Sequence, residues 1–471
     1  MSPRFFKITG YIFFILLGLF SLIWYKERIL YIDSANFLFS LINEKAPVFA
    51  SERYGVVFTQ LLPLLCIKLS LPLKWVMIAY SISFPILYFI VFLVCGKILN
   101  QWKIILPLMI CLVAFTARSF FHPVTETHQA LVYSLSFYAF LRYARESKCS
   151  ALIFFVIAFL IIVLCFFVHQ VSLFTLLFAL SFDALLLTRS GGWKSFPVVN
   201  IILAGLVLIL FLGKAYFTPP DVYEGQFYSQ IILNLHKPFF SLGTLKFLTE
   251  YFFSIYIFSF FLFCIFLGAA FLQKRYLILL FTCLWILTYC IIAQLAFGMG
   301  DAAVMMEKNI MPLAFFISLP LMELLDEMRL KRQQIVIFIC AVSLCVCFFR
   351  IRKTAKMYER RTELMERLEQ YAFSHHSPRN IVLDKCLPPR VVEGRWCFSI
   401  ETLLYSSLKG KERSSTFYLR NYDEDLSGKA TEKNLFLGPY FMRDMNADIL
   451  NAEYFDLKNT YYGEVPCNDL K

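Results

Sequence analysis

Long apolar runs dominate the first 350 residues, and short polar or basic stretches separate them. A helix that crosses a bilayer needs about 20 predominantly apolar residues. That measure predicts eleven spans, over 9–25, 76–95, 104–119, 128–143, 150–167, 171–188, 197–215, 251–272, 277–298, 309–326 and 334–350. A further apolar run, 55–73, holds Gln60, Pro63, Lys68 and Pro72 and reads as an interfacial or re-entrant helix on the outer face. Beyond residue 350 the pattern changes. Met357, Arg361, Leu364, Leu368 and Tyr371 recur three to four apart, which predicts an amphipathic helix over 354–374. Strand-like runs follow at 380–383, 395–400 and 415–419, with a helix over 401–408. The expected fold is therefore an all-α polytopic membrane bundle over 1–350. A small α/β extracytoplasmic domain over 351–471 completes it.

Charge sharpens this division. Of 471 residues, 59% are hydrophobic and 17% charged, against about 25% charged in a soluble domain. Charged residues number 41 in 1–350 and 37 in 351–471. A single soluble enzyme, a disordered chain and a single-span receptor are excluded. The net charge of +12 comes almost wholly from the apolar part, where 26 Lys and Arg stand against 15 Asp and Glu. No basic cluster or finger spacing accompanies it, so nucleic acid is not expected as a partner.

The basic excess orients the bundle instead. Of those 26 cations, 14 fall in alternate short connections: Arg4/Lys7, Lys97/Lys103, Arg142/Arg145/Lys148, Arg189/Lys194, Lys274/Arg275 and Arg329/Lys331/Arg332. Cytoplasmic loops carry such an excess, which predicts a cytoplasmic N-terminus. Eleven spans then place the C-terminal domain outside. Counting 55–73 as a span would invert every later connection. Arg4 and Lys7 before an apolar run resemble a signal peptide, but no small-residue cleavage site follows, which predicts an uncleaved anchor. No N-x-Ser/Thr sequon occurs, and a bacterial inner membrane with a periplasmic outer face is expected. Three of the 14 cysteines, Cys386, Cys397 and Cys467, lie in the outer domain. Cys386 and Cys397 are the pair closer in sequence.

No span carries an ionisable group near its centre, which argues against an ion-coupled transporter. Candidate chemistry gathers in the outer loops. Asp33, in YIDSANF, suits a general base or metal ligand, or a helix N-cap. Arg118, His122, Glu126 and His128 crowd the second loop, as a 2-His-1-carboxylate metal site or a capped helix start. The loop 216–250 mixes aromatics with Asp221, Glu224 and His236, fitting sugar stacking or an interfacial belt. Asp301, Glu307 and Lys308 precede the tenth span. Lys308 suits a lipid-linked phosphate, or a surface pair with Glu307. Trp396, Tyr405 and Tyr418 suit carbohydrate contact or core packing.

This layout resembles the GT-C superfamily of integral membrane glycosyltransferases, which use polyprenyl-phosphate-linked sugars. Asp33 stands where the family has an acidic residue after its first span, though as one residue rather than an adjacent pair. The run 55–73, preceded by Arg53-Tyr54-Gly55, is similar to the family's amphipathic loop segment. Glu126 stands in a second acidic loop. Lys308, in MMEKNIMPLAFFISLP, is similar to the basic residue before a Pro-containing late span. The resemblance implies Asp33 as base and Lys308, with Arg53 or His128, on the donor phosphate. It implies Glu126 as acceptor-orienting or, with Asp33 and His128, holding a divalent cation such as Mg or Mn. The implied partners are the lipid bilayer, a polyprenyl-phosphate-linked sugar and a glycan, lipid or protein acceptor. The alternative is a transporter or flippase of lipid-linked glycan, or an outer-face polymerase or ligase.

Overall fold

The computed structural model describes residues 3–147, 149–191, 197–219, 223–235, 256–297, 303–388, 394–421, 424, 426, 428–430, 432–440 and 443–470. Asp221, His236 and Asp301 lie outside them. Helices follow the apolar runs, because in hydrocarbon a helix satisfies its backbone polar groups internally. In chain order they are α1 (Pro3–Ile23), α2 (Tyr25–Ile29), α3 (Ile32–Glu44), α4 (Leu61–Lys68), α5 (Leu73–Leu93), α6 (Ile105–Val113), α7 (Glu126–Glu146), α8 (Ala151–Phe166), α9 (Val171–Gly191), α10 (Val198–Phe217) and α11 (Tyr223–Asn234). Then come α12 (Ile257–Leu272), α13 (Tyr276–Phe297), α14 (Ala303–Asp326), α15 (Leu330–Ser374) and α16 (Phe398–Ser407).

The burial pattern identifies the solvent. All nine residues of α6 are buried, and 89% of the apolar window of α14 is covered. By contrast, α10 and α13 cover only 22% of theirs. Outward-facing Leu152, Ile209 and Phe338 are 75, 72 and 70% exposed. Apolar surface on this scale is not stable in water. Among the described residues, seven helices are long and apolar enough to cross a bilayer, and three shorter ones are also apolar. The chain is a helical membrane protein in which α6, α7 and α14 form an inner layer and the other apolar helices face lipid. The polar side chains of α7 point inward: Thr127, His128, Gln129 and Ser134 are all buried.

The run 55–73 forms a 3-10 turn over Tyr54–Thr59 and the eight-residue α4. At about 1.5 Å per residue α4 is too short to cross. The run 104–119 yields only a short helix, after which the chain turns at 114–121. The predicted amphipathic helix is the far half of α15, which runs unbroken through position 350.

Beyond it, β1 (Arg379–Leu383) lies between β2 (Thr416–Arg420) and β5 (Gly463–Glu464) in a parallel sheet, with Arg379 opposite Thr416 and Asn380 opposite Gly463. Parallel neighbours need a crossover, and α16 supplies it. β3 (Leu435–Tyr440) and β4 (Arg443–Asn446) form an antiparallel hairpin. The expected strand over 395–400 is instead a 3-10 turn leading into α16. All ten residues of α16 are buried, and a fully covered run carries no period to separate helix from strand. The disulfide joins Cys386 to Cys467, with Cα atoms 5.0 Å apart; the sequence-adjacent partner, Cys397, is a buried free thiol. Pairing of β5 with β1 brings the C-terminal turn beside the end of β1, so spatial neighbours outrank sequence neighbours.

Candidate functional site

Asp33 sits in the first turn of α3, not at its N-cap. Tyr31 occupies the cap without a side-chain hydrogen bond. A carboxylate there gains from the helix dipole. The residue before it is unusual: Ile32 adopts φ 43°, a left-handed conformation costly for a β-branched side chain. Its N–H donates to the Glu401 carboxylate at 2.7 Å. Glu401 in turn accepts from Arg361 Nε and Nη2 at 2.8 and 2.7 Å. A Cβ at Gly394 would lie 2.3 Å from Ile32 Cδ1, so only glycine permits this approach. Residues beyond 350 thus fix the backbone that presents Asp33.

His122 Nε2 lies 3.1 Å from Asp33 Oδ2, off the line of a hydrogen bond. The imidazole is buried, while the Asp33 side chain is 33% exposed. Burial and the nearby Lys308 charge push the His122 pKa well below the usual imidazole value. The ring is therefore neutral at pH 7, and the contact is not an ion pair. Tyr31 meets His122 edge-on, with ring centroids 5.9 Å apart.

Glu307 and Lys308 are neighbours on α14 with opposite fates. Successive helical residues point about 100° apart. Glu307, 2% exposed, turns toward the loop after α6. It accepts from the backbone N–H groups of Ala117, Arg118 and Ser119 at 3.0, 2.9 and 2.7 Å, from Ser119 Oγ at 2.6 Å, and from the Tyr256 hydroxyl. Lys308 turns the other way. Its ammonium makes no ion pair or hydrogen bond among the described residues. The expected Glu307–Lys308 surface pair is therefore not formed. Lys308 acts electrostatically on His122, His128 and His169.

Arg53 organises a second cluster beside the first. It pairs with Glu126 at 2.9 Å and Glu224 at 3.1 Å, and Lys214 reaches Glu224 at 2.8 Å. Burial opposes the Arg53 charge, but the two carboxylates outweigh it and its pKa is raised. Burial likewise opposes the Glu224 charge, and Arg53 and Lys214 overcome it, so its pKa is lowered. Gly55 holds this loop in place: its N–H donates to Phe167 O at 2.8 Å, and a Cβ there would strike Val168 at 2.4 Å. His169 feels charges from both clusters. Burial first, then Arg53 and Lys308, lower its pKa.

The site residues read from the sequence thus divide. Asp33 lies against the buried His122 imidazole, and the Lys308 charge acts on the same ring. Glu126 is tied to Arg53. His128 directs Nε2 to Thr116 Oγ1 at 2.9 Å. Asp33, Glu126 and His128 do not gather as a ligand set, and no group of three His, Cys, Asp or Glu side chains suited to a metal ion occurs among the described residues. Tyr405 and Tyr418 are buried, and Trp396 packs against the core, so these aromatics serve packing.

Sequence reasoning passed over Arg28, five residues before Asp33. It is 3% exposed, held by Ser81 Oγ at 2.9 Å and by the Phe120 carbonyl, and stacked 4.2 Å over the Phe120 ring. It forms no ion pair among the described residues. Its place in the basic KER stretch was the one signal. No protein-family model, no curated protein and no solved structure matches the chain.

Proposed function

We propose that the protein is an integral membrane glycosyltransferase of GT-C type. It moves a sugar from a polyprenyl-phosphate-linked donor to an acceptor at the outer face of a bacterial inner membrane. In this reading eleven segments cross the bilayer, the short α6 being extended by the turn before it and by the buried chain at 114–121 after it; α4 lies in the outer interface, the N-terminus is cytoplasmic and residues beyond 350 are periplasmic.

One observation carries the reading. The part-exposed carboxylate of Asp33 lies against the buried His122 imidazole, and the charge of Lys308, an ammonium without a partner among the described residues, acts on the same ring. Glycosyl transfer needs both groups. The acceptor hydroxyl attacks the anomeric carbon and gives its proton to Asp33. The bond from that carbon to the phosphate oxygen breaks, and the electron pair leaves with the polyprenyl phosphate. Lys308 stabilises the developing phosphate charge. A single displacement inverts the anomeric configuration. Arg53 is already neutralised by Glu126 and Glu224 and His128 is engaged by Thr116, so in this reading Lys308 carries the phosphate role.

The test is sugar transfer from polyprenyl-phosphate-linked donors in membranes containing the protein. Asp33→Asn is expected to abolish transfer with expression and insertion unchanged. Full activity in that variant overturns the assignment, and glycan-lipid translocation without transfer identifies a flippase instead.

A further inference from the structure

We propose that the groove between α12 and α15 is a binding site for an anionic phospholipid. The groove encloses about 440 Å³. Gly268, Leu272, Ile335 and Ile339 form its apolar wall, and Arg329 and Arg332 line its polar end beside Glu327, which is paired with Arg275. It belongs to neither cluster described above, and its argument does not depend on the reaction.

Three observations converge. The carboxylates nearest this end of the bundle are already committed. Glu323 pairs with Arg142, Asp326 with Lys103 at 2.6 Å, and Glu327 with Arg275 at 2.5 Å. Arg329 and Arg332 are exposed and have no ion pair among the described residues. The two guanidinium groups therefore lack an internal counter-charge. Second, Gly268 faces open space: a Cβ there meets nothing within 4 Å. A missing side chain in a lipid-facing helix leaves a channel the width of an acyl chain. Third, the cations stand at the end of an apolar trough rather than on a flat surface. A phosphodiester flanked by acyl chains matches that sequence of surfaces, because guanidinium binds phosphate oxygens in a fork and the chains fill the trough.

The experiment uses the full chain, delipidated in detergent and exposed to equal phosphatidylglycerol and phosphatidylcholine, with retained lipid counted by native mass spectrometry. The wild type is expected to retain phosphatidylglycerol about tenfold over phosphatidylcholine. R329Q/R332Q should lose that preference; both side chains lack ion-pair partners among the described residues, and the remaining cations of the basic connections still set the orientation. G268L should retain less of either lipid. K331Q, whose cation does not line the groove, should match the wild type. Equal retention of the two lipids by the wild type overturns the proposal. So does an unchanged preference in R329Q/R332Q, or a loss in K331Q equal to that of the double variant.

Discussion

The backbone N–H of Ile32 is held by the carboxylate of Glu401, 369 positions away, at 2.7 Å. This bond stabilises a strained residue directly before Asp33. Glu401 is fully buried and shared with Arg361. Removing one partner of such a pair leaves an uncompensated charge. Glu401→Ala is therefore expected to cost about 3–5 kcal/mol, read as a lower unfolding midpoint in detergent. Glu401→Gln should retain the bond to Ile32 and lose less.

Glu307→Gln and Lys308→Met should differ sharply although the residues are adjacent. Glu307 gathers three backbone N–H groups, so an amide there sets a donor against donors. Hydrogen bonds to charged groups contribute about 1.5–3 kcal/mol each, and the Glu307 variant should unfold at lower temperature. The Lys308 variant should keep wild-type stability and lose transfer by about 10²–10³-fold, the usual effect of removing an oxyanion-stabilising donor. Equal transfer in both would remove Lys308 from the mechanism.

Acid should weaken the Arg53 cluster. The pKa of Glu224 is lowered in the folded protein, so its stabilisation is complete above the unfolded carboxylate value of about 4.3. It is lost as pH falls through the lower folded value. Unfolding midpoints should fall below pH 4, and Glu224→Gln should flatten that dependence.

The Cys386–Cys467 bridge closes a loop with a sequence separation of 81. Chain-entropy arithmetic gives such a loop about 4.5 kcal/mol. Reduction should lower stability by that order. Alkylation before and after reduction should also show two cysteines protected in intact cells, since disulfides persist only on the oxidising side. Full labelling of both without reductant would place this domain in the cytoplasm.

The helical bundle was legible because spanning helices must be apolar along their length. Asp33 stood out in the sequence as a carboxylate eight residues beyond the first apolar run, flanked by Tyr31, Ile32 and Phe37. Its partners did not: His122 reaches it from a separate loop, and Glu224 meets Arg53 from 171 positions away. Neither contact leaves a local pattern. The strand Arg443–Asn446 was missed because its side chains are largely exposed and polar, which gives no alternation to read. Glu307 and Lys308 look like an exposed pair in sequence, and only the packing of α14 against the loop after α6 separates them.

α15 has one further consequence. Its 45 residues make a rod about 68 Å long, roughly twice the thickness of a hydrocarbon core. Arg329 stands at one end. About two thirds of the way along, Arg361 grips Glu401 and, through it, the turn that carries Asp33. An unbroken helix resists bending far more than it resists tilting. The start of the helix and the pair that fixes the Asp33 turn, about 48 Å apart along its axis, therefore belong to one rigid element.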